Sequence, residues 1–230
     1  MTQDEAKALV GKRAAELVEP GMRVGLGTGS TSVAFIKALG ERVKAGLKIR
    51  CVASSDASET LGISLGMTVL SLAEMPGLDV YIDGADEVAR MPGSGFALIK
   101  GGGGALLREK IVASASKKFI VVVDQSKIVE TLGKFPLPVE VIKMALPIVE
   151  PKLIALGLHP QQRQAKDGSG PYLTDEGNYI LDCACGKIVD PVRTAAEIRA
   201  IVGVVEHGLF LGMASRVLVA GDDGVTELNS

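Results

Sequence analysis

Residues 98–110 read Leu-Ile-Lys-Gly-Gly-Gly-Gly-Ala-Leu-Leu-Arg-Glu-Lys, and no other stretch constrains the fold as much. The apolar run Phe96, Ala97, Leu98, Ile99 ends at Lys100, glycines occupy positions 101 to 104, and a helical pattern then carries Arg108, Glu109 and Lys110. That order predicts strand, turn and helix. Glycine has no side chain to hold its amide off a ligand, so Gly101, Gly102 and Gly103 can approach an anion closely. A helix beginning near Ala105 brings the positive end of its dipole to the same place. Glu109 then lies roughly 6 to 8 Å along the axis, its side chain leaning back toward the glycines. An ammonium, a carboxylate and a row of backbone donors thus converge on one small ligand. A glycine hinge with solvated Lys100 and Glu109 accounts for the stretch in isolation, so the rest of the chain decides between the two.

A second junction of the same kind comes earlier. Met22 to Leu26 predicts a strand, Gly25-Leu26-Gly27-Thr28-Gly29-Ser30-Thr31 a turn, and Ser32 to Leu39 a helix. No lysine completes a P-loop. A dinucleotide fingerprint wants Gly or Ala where Ser30 stands and an acid about 20 residues on, and Asp56 comes too late. The loop suits a phosphate monoester better than NAD, while a tight turn with a Ser/Thr cap is the plainer alternative. Lys48 to Ala53 is a strand closed by Ser54-Ser55-Asp56, with Asp56 and Glu59 at capping-box spacing. Leu78 to Ile82 stops at Asp83-Gly84-Ala85-Asp86-Glu87, whose carboxylates repel one another unless a ligand or a lysine offsets them. Their spacing fits neither a calcium loop nor an Asp-x-Asp site, and no histidine accompanies them, so no metal is expected. Phe119 to Val123 ends at Asp124-Gln125-Ser126-Lys127.

Strands alternating with helices imply a Rossmann-like open parallel α/β sheet with helices on both faces. Ligands bind such sheets beyond the carboxyl ends of the strands, the edge where every one of these polar clusters falls. From Phe135 the texture changes. Strands at Val139–Ile142, Leu158–Gln164, Tyr179–Asp182 and Gly203–Val205, with helices at Ala145–Leu156 and Thr194–Ile201, give the split βαβ order of a smaller ferredoxin-like α+β domain. The expected division is 1–133 with 207–230, and 134–206, with Asp167 to Gly177 an exposed loop and Arg216 to Ala220 a strand returning to the first sheet. His159 and His207 read as structural or solvated.

A formal charge of −2 and 3% aromatic residues disfavour nucleic acid. Three cysteines, an odd number without CxxC spacing, read as reduced thiols. Asp4 to Val18 forms an opening amphipathic helix with Thr2 or Asp4 as cap; the first residues resemble no signal peptide, and no apolar run reaches membrane-spanning length. A soluble cytoplasmic protein without membrane association is expected.

Taken in order, Gly25 to Thr31, Ser54 to Ser58, Tyr81 to Glu87, Lys100 to Gly103 with Arg108-Glu109-Lys110, Lys134 to Val141 and Gly208-Leu209-Phe210 resemble ribose-5-phosphate isomerases of type A across nearly the whole chain. The resemblance implies interconversion of ribose 5-phosphate and ribulose 5-phosphate without metal or organic cofactor, in a homodimer or tetramer. It implies Glu109 as general base, with Asp83, Asp86 and Lys100 assisting ring opening and proton traffic. It also implies substrate contacts from Thr28, Gly29, Ser30, Thr31, Gly84, Ala85, Gly101, Gly102, Gly103 and Lys127, with Lys7 an outer helper. The chemistry agrees, since an enediolate oxygen is stabilised by fixed donors and a cation, and a base near a helix N-terminus is expected to stay ionised. Two positions depart from the family pattern: Gly104, expected to loosen the turn where alanine is common, and Leu107, where threonine is common. A related acyl-CoA or sugar-phosphate enzyme and a non-catalytic sugar-phosphate sensor are the competing expectations.

Overall fold

The computed structural model describes residues 1–230 apart from 92 and 94. Helix α1 (Gln3–Glu16) opens the chain, fixed by a reciprocal capping box between Thr2 and Glu5. There follow β1 (Arg23–Leu26), α2 (Ser30–Lys44), β2 (Arg50–Ala53), α3 (Asp56–Ser64), β3 (Thr68–Val69), β4 (Val80–Asp83), β5 (Glu87–Arg90), β6 (Phe96–Ile99), α4 (Leu106–Ser114) and β7 (Phe119–Asp124). The chain continues through β8 (Leu137–Val141), α5 (Leu146–Ala155), β9 (His159–Gln162), β10 (Tyr179–Ala184), α6 (Pro191–Arg199) and β11 (Val204–His207). It closes with β12 (Leu209–Leu211), β13 (Arg216–Gly221) and β14 (Gly224–Asn229).

The largest sheet has the order β14-β13-β7-β4-β1-β2-β3. Its strands are parallel except β14, which returns antiparallel along β13. From β1 the chain builds outward through β2 and β3, then crosses back to add β4, β7 and β13 on the other side. The switch point therefore lies between β1 and β4, and a crevice opens beyond their carboxyl ends. On one face α1 and α2 bury Val10, Ala14, Phe35 and Leu39 against Val24, Leu26, Ile82 and Val122. On the other, Tyr81, Phe119, Val121 and Val123 meet Val112 of α4.

The strand that leads into the glycine run is not part of this sheet. β6 pairs antiparallel with β5 and β12 in a separate three-stranded sheet, order β12-β6-β5. That sheet is a middle layer: Val88, Phe96, Leu98 and Phe210 pack with Tyr81 and Phe119 of the large sheet. Ala89, Ala97, Ile99 and Leu209 belong to the core on the far side. Alternate residues of a strand face opposite ways, so a strand with a core on each side is apolar at every position. In sequence it looks the same as a buried parallel strand. Glu87, grouped with the acids before it by sequence, instead begins β5 and accepts hydrogen bonds from the amides of Gly133 and Phe135, each at 2.7 Å.

The third sheet is antiparallel with the order β11-β8-β10-β9, that of a split βαβ unit with α5 and α6 as its helices. The segment 167–177 is largely exposed, yet it is anchored where buried Thr174 donates to Glu140 Oε1 at 2.9 Å. Asp175 and Glu176 reach from it to Arg108 on α4. Helix α3 is capped by Ser55, whose Oγ accepts from the Ser58 amide; Asp56, expected as the cap, stands in the first turn and pairs with Arg108. Among the described residues no helix is long and apolar enough to cross a membrane.

Candidate active site

The loop after β1 is held from behind. The Gly27 amide donates to Ile82 O at 3.0 Å and the Thr28 amide to Asp83 Oδ1 at 2.9 Å. The Thr28 hydroxyl turns inward, 2.8 Å from Ser54 Oγ and 2.9 Å from Ser55 Oγ, while Ser58 Oγ donates to Gly27 O at 2.6 Å. A Cβ on Gly27 would fall 2.2 Å from Asp83 Oδ1, so glycine alone lets that carboxylate lie against the loop backbone. Gly29, at φ 101°, then turns the chain into α2. The first turns of α2 and α4 have no side-chain cap, nor has that of α5, which carries Pro147, whereas Thr2, Ser55 and Asp190 cap α1, α3 and α6. Uncapped amides at a helix N-terminus form a ready anion site. The plainer sequence alternative, a turn with a Ser/Thr cap, is not what forms here.

Asp83 ends β4 and is wholly buried. Its Oδ1 accepts from Ser32 Oγ and from the amides of Thr28 and Gly84; its Oδ2 accepts from Tyr81 and from Lys100 Nζ, the latter at 2.7 Å. Lys100 arrives from the middle sheet, 2% exposed, and also donates to Gly84 O at 2.6 Å. Its Nζ lies 3.4 Å from Glu109 Oε2. Burial works against the Lys100 ammonium, but Asp83 and Glu109 outweigh it and raise its pKa. Glu109, in the first turn of α4, is 2% exposed, and its Oε2 has no hydrogen-bond partner among the described residues. Burial pushes its pKa up to about 8, against the pull of Lys100 and with a push from Asp83 and Asp86. Desolvation thus works against the expectation that the helix N-terminus keeps Glu109 ionised, and is the larger effect. Asp86 accepts from the Gly102 amide at 2.8 Å, and burial raises its pKa despite that bond and the nearby Lys100, Lys127 and Arg163.

These groups meet in a cleft of about 280 Å³ at the switch point. Lys7, Thr28, Gly29, Ser30, Thr31, Gly84, Ala85, Asp86, Lys100, Gly101, Gly102, Gly103, Glu109 and Lys127 line it, so the structure brings together every sequence-predicted site residue except Asp83. Asp83 lies beneath the floor with both oxygens engaged. Gln3 lines the cleft too; the available signal was its spacing of four from Lys7, which puts both on one face of α1. His207 is buried, its pKa driven down to about 3 chiefly by burial and then by Lys110, and its Nδ1 accepts from the Leu209 amide. It plays a structural part, as the sequence suggests. Gly104 does not loosen the turn: it sits at φ 87°, and a Cβ there would lie 2.2 Å from Tyr172 Oη. Leu107 faces a small recess shared with Glu140 and Thr174. Among the described residues no group of three or more His, Cys, Asp or Glu side chains is arranged to hold a metal.

Fold and cleft together define an α/β enzyme that binds an anionic substrate beside a buried acid–base cluster. The family model for ribose 5-phosphate isomerase A (phosphoriboisomerase A) matches residues 50–224. The chain belongs to the ribose 5-phosphate isomerase A family, and its activity is that isomerisation within the pentose phosphate pathway. It is 46% identical over 229 residues to the ribose-5-phosphate isomerase A of Parvibaculum lavamentivorans, with 97% of each chain covered. Identity to that of Sphingopyxis alaskensis is 48% over 219 residues, covering 95% and 93%. The structure of ribose 5-phosphate isomerase A from Methanocaldococcus jannaschii superposes with a TM-score of 0.93 at 39% identity over the full length of both chains. A D-ribose-5-phosphate isomerase solved in complex with phospho-erythronic acid superposes with 0.95 at 38% identity, again over both full lengths.

Proposed function

We propose that the chain interconverts D-ribose 5-phosphate and D-ribulose 5-phosphate by moving a proton between C1 and C2 through an enediolate, with Glu109 as the base. The observation that carries this reading is the Glu109 carboxylate: buried, with its Oε2 lacking a hydrogen bond among the described residues and held only by the Lys100 ammonium 3.4 Å away, at one end of a cleft that also holds the uncapped N-terminus of α2. The substrate phosphate sits on the first-turn amides of α2 with Ser30 and Thr31, and Lys7 and Lys127 add positive charge. That places the sugar carbons toward Glu109. Lys100 and the glycine amides face the oxygen on which negative charge grows, which lowers the barrier because those donors are already fixed. Asp86 reaches the cleft and handles ring opening and hydroxyl protons; Asp83, which does not, holds Lys100 in place.

The same reading takes residues 1–133 with 207–230 as the catalytic unit and 134–206 as the second, supported by the pairing of β13 with β7 and of β8 with β10 and β11. It takes the assembly as a homodimer or a dimer of dimers joined through the second unit, where Met144 and Val202 stand exposed. It places the enzyme in the cytoplasm, with the charged sugar phosphates that do not cross membranes unaided. Proton NMR of ribose 5-phosphate with the EDTA-treated protein in D₂O tests the chemistry. Ribulose 5-phosphate carrying deuterium at the carbon that gains the proton is the expected product. Partial incorporation is enough, since a buried base can return its proton before exchange; no deuterium at that carbon even after many reversible turnovers points to direct hydride shift and overturns the enediolate.

A further inference from the structure

We propose that Arg163, from the second unit, is a positioning residue that sets the direction of the glycine-loop amides, an inference that rests on the enediolate reading above. Arg163 follows β9, and its Nε and Nη2 are committed to Asp182 of β10 at 2.8 and 2.5 Å. The remaining nitrogen, Nη1, donates to two consecutive loop carbonyls, Gly101 O at 3.0 Å and Gly102 O at 3.3 Å. The guanidinium carbon lies 5.8 Å from the centre of the Tyr172 ring. Tyr172 in turn occupies the space that a Cβ at Gly104 would take.

In a planar trans peptide the carbonyl of one residue and the N–H of the next point in opposite directions. Holding Gly101 O toward Arg163 therefore aims the Gly102 N–H away from it, and that amide indeed donates to Asp86 at 2.8 Å. Holding Gly102 O in the same way aims the Gly103 N–H toward the cleft, which Gly103 lines. The Gly103 amide has no partner among the described residues. It is a free donor beside Lys100 and Glu109, aimed by a side chain that never touches the substrate. The run closes a turn of its own, the Gly104 amide donating to Gly101 O at 3.0 Å, but that bond leaves the central peptide, Gly102 O with the Gly103 N–H, able to flip, because glycine admits both turn types at little cost. The second unit thereby takes part in the chemistry of the first.

The experiment compares Arg163→Met and Arg163→Lys with the wild-type chain, measuring kcat, KM for ribose 5-phosphate, and binding of two probes. Phospho-erythronate carries a planar carboxylate where the enediolate forms; inorganic phosphate reports the α2 end alone. Both variants are expected to lose kcat and phospho-erythronate affinity by about tenfold or more, as when a fixed oxyanion donor is misaligned, while phosphate affinity stays within twofold. Lysine fails with methionine because one ammonium cannot grip Asp182 and two carbonyls together. Asp182→Asn, which loosens the fork from behind, moves the same readouts in the same direction and serves if Arg163→Met does not fold. Equal losses for both probes mean general loosening and overturn the proposal, as does a kcat within twofold of wild type. An inactive wild-type chain in the same assay counts against the isomerase reading instead.

Discussion

The chain makes the same local structure twice, a strand running through glycines into an uncapped helix, and it secures the two by largely different means. The β1–α2 junction lies within the plane of the parallel sheet and is locked mainly by neutral groups, the hydroxyls of Thr28, Ser54, Ser55 and Ser58, with a single carboxylate, Asp83, accepting from the Thr28 amide and Ser32 Oγ. The β6–α4 junction hangs from the middle sheet and is held by charges: Lys100 against Asp83, Asp86 on the Gly102 amide, Arg163 on two carbonyls. A phosphate group keeps its charge throughout an isomerisation, so its site needs only rigid donors. At the other end, in the proposed mechanism, a charge appears on the sugar and a proton leaves and returns, so the site must carry ionisable groups whose fields respond. Buried charges are tolerated only when paired, and Glu109 is the member left least paired.

The strongest way to break this comparison is Glu109→Gln. It is expected to lower kcat by ~10²-fold or more, with inhibition by inorganic phosphate unchanged, since Asp83, the group that touches both junctions, is left in place by the substitution. Retained turnover removes Glu109 from its role, and lost phosphate inhibition shows that the junctions are coupled. Next in size is a pair of stability measurements by urea unfolding. Lys100→Met strips the partner from buried Asp83 and is expected to cost about 3 to 5 kcal/mol. Thr28→Val removes only hydroxyl contacts and is expected to cost about 1 kcal/mol. Similar losses from the two would erase the contrast between charged and neutral wiring. Third comes pH. Because burial pushes the Glu109 pKa up to about 8, the ionised, active fraction of the base falls off below that pH and approaches one above it. The kcat/KM, which reports the free enzyme, should therefore rise about tenfold per unit on the acid side and level off beyond the pKa. A flat profile from about pH 6 to 9 contradicts the raised pKa.

Much of this site is legible in the sequence because its parts are local. Glycines before a helix, a lysine at a strand end and a glutamate one turn on are read from spacing alone, and all of them line the cleft. What is not legible depends on distant packing. Asp83 ends β4 and Asp86 follows it by three residues, yet one is sealed under the floor against Lys100 from another sheet and the other faces the cleft. That sheet is itself hidden in the sequence, since β6 is buried on both faces and shows no alternation. The protonation of Glu109 turns on how completely it is buried, which no spacing reveals. Gly104 looks like a loosened turn until Tyr172, from a distant part of the chain, is seen filling its vacant side.

The smallest expected effect gives the finest test of the division. Ser30 begins α2 and lines the cleft, and in the proposed binding mode it meets the phosphate, away from the reacting carbons. Ser30→Ala removes one hydroxyl while leaving the backbone amides and the Thr28–Ser54–Ser55 lock intact. A hydrogen bond to a charged group is worth about 1.5 to 3 kcal/mol, but the remaining donors and water recover part of it, so KM should rise about three- to tenfold. Because the phosphate bears the same charge in ground state and transition state, that bond contributes equally to both, and kcat should stay within twofold. Steady-state kinetics with ribose 5-phosphate separates the two parameters. A fall in kcat with KM unchanged would mean that Ser30 senses the charge developing on the sugar, and the division between a constant-charge junction and a changing-charge junction would have to be given up.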